Sequence, residues 1–117
     1  PYVNYQGNIS MLLEERGKSA LQALSNACEA AGVPCETTQA SGVVPRVIVE
    51  HSGLADLIVM GRGGEHNEWL DGLVGSTAEA VIRRSDLPVL ITGTPSPGRE
   101  KLLMAYDGSA HAQNALR

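Results

Sequence analysis

The chain contains no phenylalanine, and aromatic residues make up only 3% of its 117 positions. Its hydrophobic residues, 43% of the total, are therefore mainly aliphatic. That proportion is enough for a globular core and too high for a disordered chain. An aliphatic core is typical of parallel strands covered by helices. The length suits one small domain.

Positive charge is also scarce. The net charge is −4, and the largest cluster of basic residues is the pair Arg83-Arg84. A general nucleic-acid-binding protein would usually carry a larger basic patch. No apolar run approaches the roughly 20 residues that span a bilayer, and no secretion signal is visible. We therefore expect a cytoplasmic protein whose partners include neither nucleic acid nor membrane.

Cysteine occurs only twice, at Cys28 and Cys35, too widely spaced for a Cys-x-x-Cys pair. This usage favours two reduced, partly buried thiols. A disulfide or another redox role is the alternative.

The first half of the chain reads as a loop followed by a long helix. Proline, asparagine and glycine in residues 1–9 predict a loop. Apolar residues then recur three and four positions apart over residues 10–31, which predicts an amphipathic helix. Gly32 and Pro34 are expected to end that helix.

The rest of the chain alternates between strand and helix. Residues 43–52 are ambiguous, because their β-branched content suits a strand, but Pro45 favours the first turn of a helix. We interpret them as a helix. The full prediction is a strand at 35–39, a helix at 43–52, a strand at 55–60, a loop at 65–74, a helix at 77–85 and a strand at 88–92. This order predicts an α/β fold with a parallel sheet.

The C-terminal part looks like the opening of a second unit. Residues 93–99 have the composition of a linker. A buried strand over residues 101–106 and a helix over 110–116 are expected after it, joined by the turn Asp107-Gly108-Ser109. The predicted domains are thus 1–92 and the start of another at 100–117.

Two glycine groups form the most informative segment. An apolar run ends in Gly61-Arg62-Gly63-Gly64, and Gly75-Ser76-Thr77 opens a helix after ten intervening residues. Glycines allow close approach of the backbone to an anion, and a helix N-terminus favours negative charge. The segment predicts a phosphate site. The alternative is a tight turn followed by an ordinary helix cap.

These residues resemble the universal stress protein family. Its ATP-binding members carry glycine, two residues, glycine, nine residues, glycine, then serine or threonine. Gly61, Gly64, Gly75 and Ser76 match, with ten residues in place of nine. The Asp107 turn resembles the end of the family's first strand. The resemblance implies a Rossmann-like three-layer α/β sandwich with a mostly parallel sheet, as in adenine nucleotide alpha hydrolases, and a tandem arrangement.

The resemblance also implies a stress-response regulator that binds an adenine nucleotide, ATP or AMP. Gly61, Gly64, Gly75 and Ser76 would hold phosphates, with Arg62 and Thr77 beside them. Asp107 would lie near the ribose or a divalent ion. Domains would pair through the edge strand at residues 88–92, as a homo-oligomer or pseudo-dimer.

Two features qualify this interpretation. Glu65, Glu68 and Asp71 would repel a triphosphate unless Mg²⁺ intervenes. The family's first strand and helix are missing from the start of residues 1–92, so residues 101–106 are a candidate to complete the sheet, in the same chain or in a partner.

Evidence for catalysis is weak, because the sequence contains neither Gly-x-Ser-x-Gly nor His-Glu-x-x-His. We expect slow ATP hydrolysis at most. A nucleotide-free interaction module of the same fold is the alternative function.

Overall fold

A computed structural model describes residues 2–63, 74–93 and 103–116. The chain divides into two compact units, Pro1–His51 and Ser52–Arg117. The first contains helices α1 (Tyr2–Ala30) and α2 (Val44–His51). The second contains a short 3₁₀ turn (Ser52–Leu54), strand β1 (Ile58–Gly61), helix α3 (Ser76–Ile82), strand β2 (Val89–Thr92) and helix α4 (Ala110–Ala115).

Helix α1 begins earlier than the sequence predicts. The loop expected over residues 1–9 is wrong, because the helix already starts at Tyr2. Once a helix is nucleated, each added residue gains a hydrogen bond, so a glycine costing about 1 kcal/mol does not stop it. Gly7 lies in this extension, and a methyl group there would meet nothing within 4 Å.

Gly17 lies in the middle of α1 for a packing reason. The Gln39 side-chain amide crosses the helix there and donates to the Glu14 carbonyl, with an Nε2–O distance of 3.1 Å. A Cβ on Gly17 would lie only 2.5 Å from that Nε2. The glycine therefore makes room for the amide of Gln39.

The end of α1 is set by a glycine turn. Gly32 has φ +67°, a conformation that favours glycine. The Val33 amide donates to the Cys28 carbonyl (2.9 Å), and the Gly32 amide donates to the Glu29 carbonyl (3.0 Å). These two bonds define a Schellman motif, and they confirm the predicted role of Gly32.

The strand expected at residues 35–39 is wrong, because these residues form no strand in the structure. Alternating side chains make a strand only where a neighbouring strand completes the ladder, and Gln39 instead bonds to α1. The helix expected at 43–52 is confirmed as α2. Its exposed face carries an Arg46–Glu50 ion pair at 2.7 Å.

The second unit contains a strand–helix–strand arrangement. Strands β1 and β2 run parallel, with Ile58 opposite Val89 and Gly61 opposite Thr92. Both strands and α3 were expected from the sequence, with bounds that differ by a few residues. Among the described residues, the buried apolar side chains are those of Ile58, Ala78 and Val81, all at most 8% exposed.

The strand expected at residues 101–106 is wrong over its described part. Residues 103–106 belong to no strand, and the Leu103 side chain is 99% exposed. In the part of the chain that the structure describes, β1 and β2 form a two-stranded sheet by themselves, so residues 103–106 do not complete the sheet of their own chain. Completion of the sheet by these residues of a partner stays a prediction. Residues 101–102 and the linker positions 94–99 lie outside the described residues.

Helix α4 agrees with the expected helix at 110–116. The Ser109 hydroxyl caps it by accepting a hydrogen bond from the Ala112 amide at 3.1 Å. None of the helices in the described ranges is both long and apolar enough to cross a bilayer.

Candidate functional site

The two glycine groups meet at the carboxyl end of β1. The Arg62 amide donates to the Thr92 carbonyl (2.9 Å), which extends the β1–β2 ladder by one residue. The Gly75 amide then donates to the Arg62 carbonyl at 2.8 Å. We call this bond between residues 62 and 75 the glycine clasp. It brings the start of α3 to the end of β1.

The clasp favours a glycine at position 75. A Cβ there would lie 3.0 Å from the Arg62 carbonyl oxygen and 3.3 Å from the Gly63 Cα. Both neighbours are backbone atoms, which cannot rotate away as a side chain can. A Cβ on Gly61 would only make an ordinary contact, 3.8 Å from the Gly63 oxygen. Close approach of two backbone segments thus explains why position 75 is a glycine, but it does not explain the glycine at position 61.

Helix α3 starts directly at the clasp. Gly75 is its N-cap, with φ −61° and ψ 154°, and its carbonyl accepts the first helical bond from the Glu79 amide at 3.0 Å. The Gly75 amide is already used in the clasp. The donors left at the first turn are the main-chain amides of Ser76, Thr77 and Ala78, since no side chain from the described residues caps this end.

Arg62 supplies positive charge at the same edge of the sheet. Its guanidinium extends past Gly93, where a Cβ would lie 3.8–3.9 Å from Nε, Cζ and Nη2. Over residues 2–63, 74–93 and 103–116, its guanidinium has no carboxylate within ion-pairing distance. A cation that pairs with no carboxylate of these described residues, and lies beside the ends of two parallel strands, is suited to an anionic ligand.

Asp107 lies in a separate turn. The Ser109 amide donates to Asp107 Oδ1 at 2.9 Å, and Gly108 has φ +79°. Hydrogen bonds from the hydroxyl and the amide of Ser109 hold the pKa of Asp107 below its ordinary value. The carboxylate borders an open cavity of about 410 Å³, whose lining is Ala105, Tyr106, Asp107, Ser109 and Ala112.

The structure brings some of the expected site residues together and leaves others apart. Gly61, Arg62, Gly75, Ser76 and Thr77 belong to one strand–helix junction. No described residue of that junction lines the Asp107 cavity. Gly64 lies outside the described residues, as do the acidic residues Glu65, Glu68 and Asp71.

Sequence reasoning missed Thr92 and Gly93. The Thr92 carbonyl accepts a hydrogen bond from the Arg62 amide, and Gly93 lies next to the Arg62 guanidinium. The parallel pairing of β1 with β2 was the available signal, since residues at the carboxyl ends of adjacent parallel strands lie side by side. Within the described ranges, no group of three or more His, Cys, Asp or Glu side chains could hold a metal ion.

The junction can be compared with known proteins. A sequence model of the universal stress protein family matches residues 3–93, more than three-quarters of the chain. The chain belongs to the universal stress protein family. The resemblance noted from the glycine segment is thereby confirmed, as is the adenine nucleotide alpha hydrolase-like α/β fold that it implied.

Two universal stress proteins illustrate the relationship. One from Methanocaldococcus jannaschii is 41% identical over 90 residues, which cover 74% of this chain and 52% of that protein. One from Synechocystis is 28% identical over 116 residues, 98% of this chain and 40% of that protein. This universal stress protein chain thus spans about half or less of the length of these relatives. No solved structure matches it.

Proposed function

We propose that this universal stress protein binds an adenine nucleotide, ATP or AMP, with its phosphates at the glycine clasp. The observation that carries the proposal is the 2.8 Å bond from the Gly75 amide to the Arg62 carbonyl. Because of that bond, the first-turn amides of α3 lie at the end of β1 that also carries the Arg62 guanidinium. Donors of fixed position and a cation in one place favour a phosphate group.

The proposed phosphate donors differ from those that the glycine motif by itself predicts. The Gly75 amide is not offered to the ligand, because it donates to the Arg62 carbonyl. The glycine contributes instead by letting the two backbone segments approach closely. The amides of Ser76 and Thr77 and the Ser76 hydroxyl are the donors offered to the ligand, and Arg62 contributes charge. Gly61 and Gly64 complete the family motif. Asp107, with its carboxylate ionised at neutral pH, is proposed to contact a ribose hydroxyl or Mg²⁺.

The biological role proposed is that of a cytoplasmic stress-response regulator acting through ligand-dependent assembly. We also propose a tandem arrangement, with residues 100–117 opening a second domain. It is supported by the alignment of 98% of this chain, which includes residues beyond 93, with a Synechocystis protein more than twice as long.

The sharpest test of nucleotide binding exchanges one arginine. Arg62→Gln removes a charge-assisted contact worth about 1.5–3 kcal/mol, so the Kd for ATP should rise roughly tenfold or more. Arg84→Gln is the matched control, because it removes the same charge at the other end of α3, where the guanidinium donates to the Ala80 carbonyl. Isothermal titration with ATP and AMP measures both variants.

Two results would count against the proposal. One is equal ATP affinity in the Arg62 and Arg84 variants. Any loss of affinity would then come from the change in net charge and not from a contact between Arg62 and the phosphates. The other is the absence of any ATP or AMP binding by the unmodified chain, together with no nucleotide released on denaturation. That second result would favour the nucleotide-free interaction module.

A further inference from the structure

The four residues that precede the Asp107 turn are apolar and exposed. Leu103, Met104, Ala105 and Tyr106 belong to no strand, and the Leu103 side chain is 99% exposed. We call these residues the apolar segment. Since burial of apolar surface is the main force in folding and association, the apolar segment is suited to pack against another apolar surface.

The outer edge of β1 offers a place for the apolar segment. The amides of Ile58 and Arg62 donate to carbonyls on the β2 side. Because hydrogen-bonding groups alternate between the two sides of a parallel strand, the main-chain groups of Val59 and Gly61 point to the outer edge. Among the described residues, no strand lies beside that edge. An open edge is a template for the addition of a strand.

The hydrophobic pattern restricts how the two can pair. Along β1 the Ile58 side chain is buried and the Val59 side chain is exposed. With Leu103 opposite Ile58 in a parallel pair, Leu103 would lie on the buried face and Met104 would lie beside Val59 on the other face. A shift by one residue would turn Leu103 to the exposed face. The pattern therefore allows this register or one shifted by two residues.

Charge complementarity decides between these registers. With Leu103 opposite Ile58, Asp107 falls opposite Arg62. Asp107 is exposed, and within the described ranges the Arg62 guanidinium has no carboxylate of its own chain within ion-pairing distance. Opposite charges on adjacent strands are favourable. A shift by two residues would separate these charges, so the register with Leu103 opposite Ile58 is preferred.

The length of the connection favours a second copy of the chain as the source of the apolar segment. A parallel strand needs a crossover connection of about a dozen residues or more. Ten residues, 93–102, separate the end of β2 from Leu103. In the structure, the apolar segment forms no ladder with the sheet of its own chain.

We propose that two copies of the chain exchange their apolar segments, each adding a parallel strand to the outer edge of β1 in the other copy. Because the carboxyl ends of parallel strands meet at one edge of a sheet, the exchange brings Asp107 of one copy to the glycine clasp of the other. The outer edge of β2 stays free for the pairing expected at residues 88–92. The shared ligand site rests on the proposed function, whereas the exchange of strands does not.

Disulfide cross-linking tests the exchange without nucleotide. The natural cysteines are free thiols and Cys35 is exposed, so both are first replaced by serine. Val59→Cys and Met104→Cys are then placed in separate chains, which are refolded together and mildly oxidised. Neighbouring strands lie about 4.8 Å apart, within the roughly 4.4–6.8 Å between Cα atoms that a disulfide needs. Mass spectrometry should detect the mixed dimer.

A matched pair of chains controls for random collision. Ala105→Cys replaces Met104→Cys in the control, because residue 105 would face the opposite side of the sheet from Val59. The Met104→Cys pair should cross-link several-fold more than this control pair. Equal yields would overturn the exchange. It would also be overturned if Val59→Cys and Met104→Cys, combined in one chain, joined only within that chain.

Charge reversal tests the register. Arg62→Asp and Asp107→Arg should each lower the yield of the Met104→Cys cross-link several-fold, because like charges would then face each other. A chain that carries both changes should regain most of that yield. If the combined variant cross-links no better than the single variants, the assigned register is wrong.

Mixed dimers test whether the ligand site is shared. Arg62→Gln and Asp107→Asn should each weaken ATP binding in isothermal titration. Refolded together, they form mixed dimers in which one site keeps both residues, so about a quarter of all sites should regain full affinity. If the unmodified chain binds ATP and the mixture shows no such gain, the shared site is overturned. If the unmodified chain binds no ATP, the proposed function fails, and the cross-links still decide the exchange.

Discussion

At the scale of single residues, the glycines of this chain have different physical roles. Gly75 permits two backbone segments to touch, Gly32 adopts a left-handed conformation, and Gly17 leaves space for a side chain. The sequence shows only that each is a glycine. Their roles depend on what lies opposite each one, and therefore substitutions to alanine should separate them.

Gly75→Ala should destabilise the chain by about 1–3 kcal/mol, because its methyl group would overpack against the Arg62 carbonyl. Gly61→Ala is the control, since its methyl group meets nothing closer than 3.8 Å. Urea unfolding compares the two. Similar free energies of unfolding for both variants would show that the glycine clasp is not a close contact in solution.

Gly17 and Gln39 should be energetically coupled. Gly17→Ala alone gains about 1 kcal/mol of helix propensity but displaces an amide whose hydrogen bond is worth about 1 kcal/mol. In a Gln39→Ala background only the gain remains. A double-mutant cycle measured by thermal or urea unfolding should therefore give a coupling of about 1 kcal/mol. Additive effects would contradict the contact between Gln39 and α1.

Asp107 should titrate below the ordinary aspartate range. Because its pKa is lower in the folded chain, its contribution to stability is present above the unfolded pKa of about 4. That contribution is lost as the pH falls through the folded value. Ser109→Ala removes the hydroxyl that helps to lower the pKa of Asp107 and should raise it. Carboxyl-carbon NMR titration checks this, and an unchanged Asp107 pKa in the variant would count against the turn geometry.

At the scale of elements, the helix signals after residue 9 were read correctly, whereas the loop expected over residues 1–9 and two of the expected strands were not. Gly32 and Pro45 act within one turn of their own helix, and the structure has them in the expected roles. Ser109 lies in the expected turn, and its role as the cap of α4 is added by the structure. Strands are different, since they need partners distant in sequence. Residues 35–39 and 103–106 have suitable side chains but no neighbouring strand in the described part of the chain.

The same distinction applies to the candidate site. Clustered glycines at the end of an apolar run indicated the junction of β1 with α3. The Gly75 amide donates to the Arg62 carbonyl, whereas the next amides remain as donors. This difference depends on a contact between two segments that are separate in the sequence. No pattern of residue types reveals which amide of a helix start is already bonded.

The extra helical turns at the start of α1 can be tested at one residue. Gly7→Ala should increase helicity and stabilise α1 by up to about 1 kcal/mol, because a methyl group at this helical position meets no neighbour. Gly32→Ala should have the opposite effect, since alanine is strained at φ +67°. Circular dichroism and urea unfolding report both. No change in helicity for Gly7→Ala would restore the loop expected from the sequence.

At the scale of the whole molecule, the two-stranded sheet has two outer edges without a strand beside them in the described ranges. Edge strands are natural places for pairing between chains. This supports, as a proposal, assembly through the edge strand at residues 88–92, where the Leu90 side chain is exposed.

Leu90→Lys tests that assembly. A lysine on an edge strand opposes pairing, so an assembly that the unmodified chain forms through this edge should dissociate in light scattering. Ile82→Lys, on an exposed position of α3, is the control and should leave the mass unchanged. An assembly whose mass Leu90→Lys leaves unchanged would place the interface elsewhere.

The glycine clasp has a consequence for how the family's sequences can vary. It ties residue 62 to residue 75, and so it fixes the base of whatever segment joins them. The entropic cost of closing a flexible loop grows only slowly with its length. One residue more than the family spacing is then a small perturbation, and insertions between the two glycine groups should leave the glycine clasp, and with it the proposed phosphate contacts, intact.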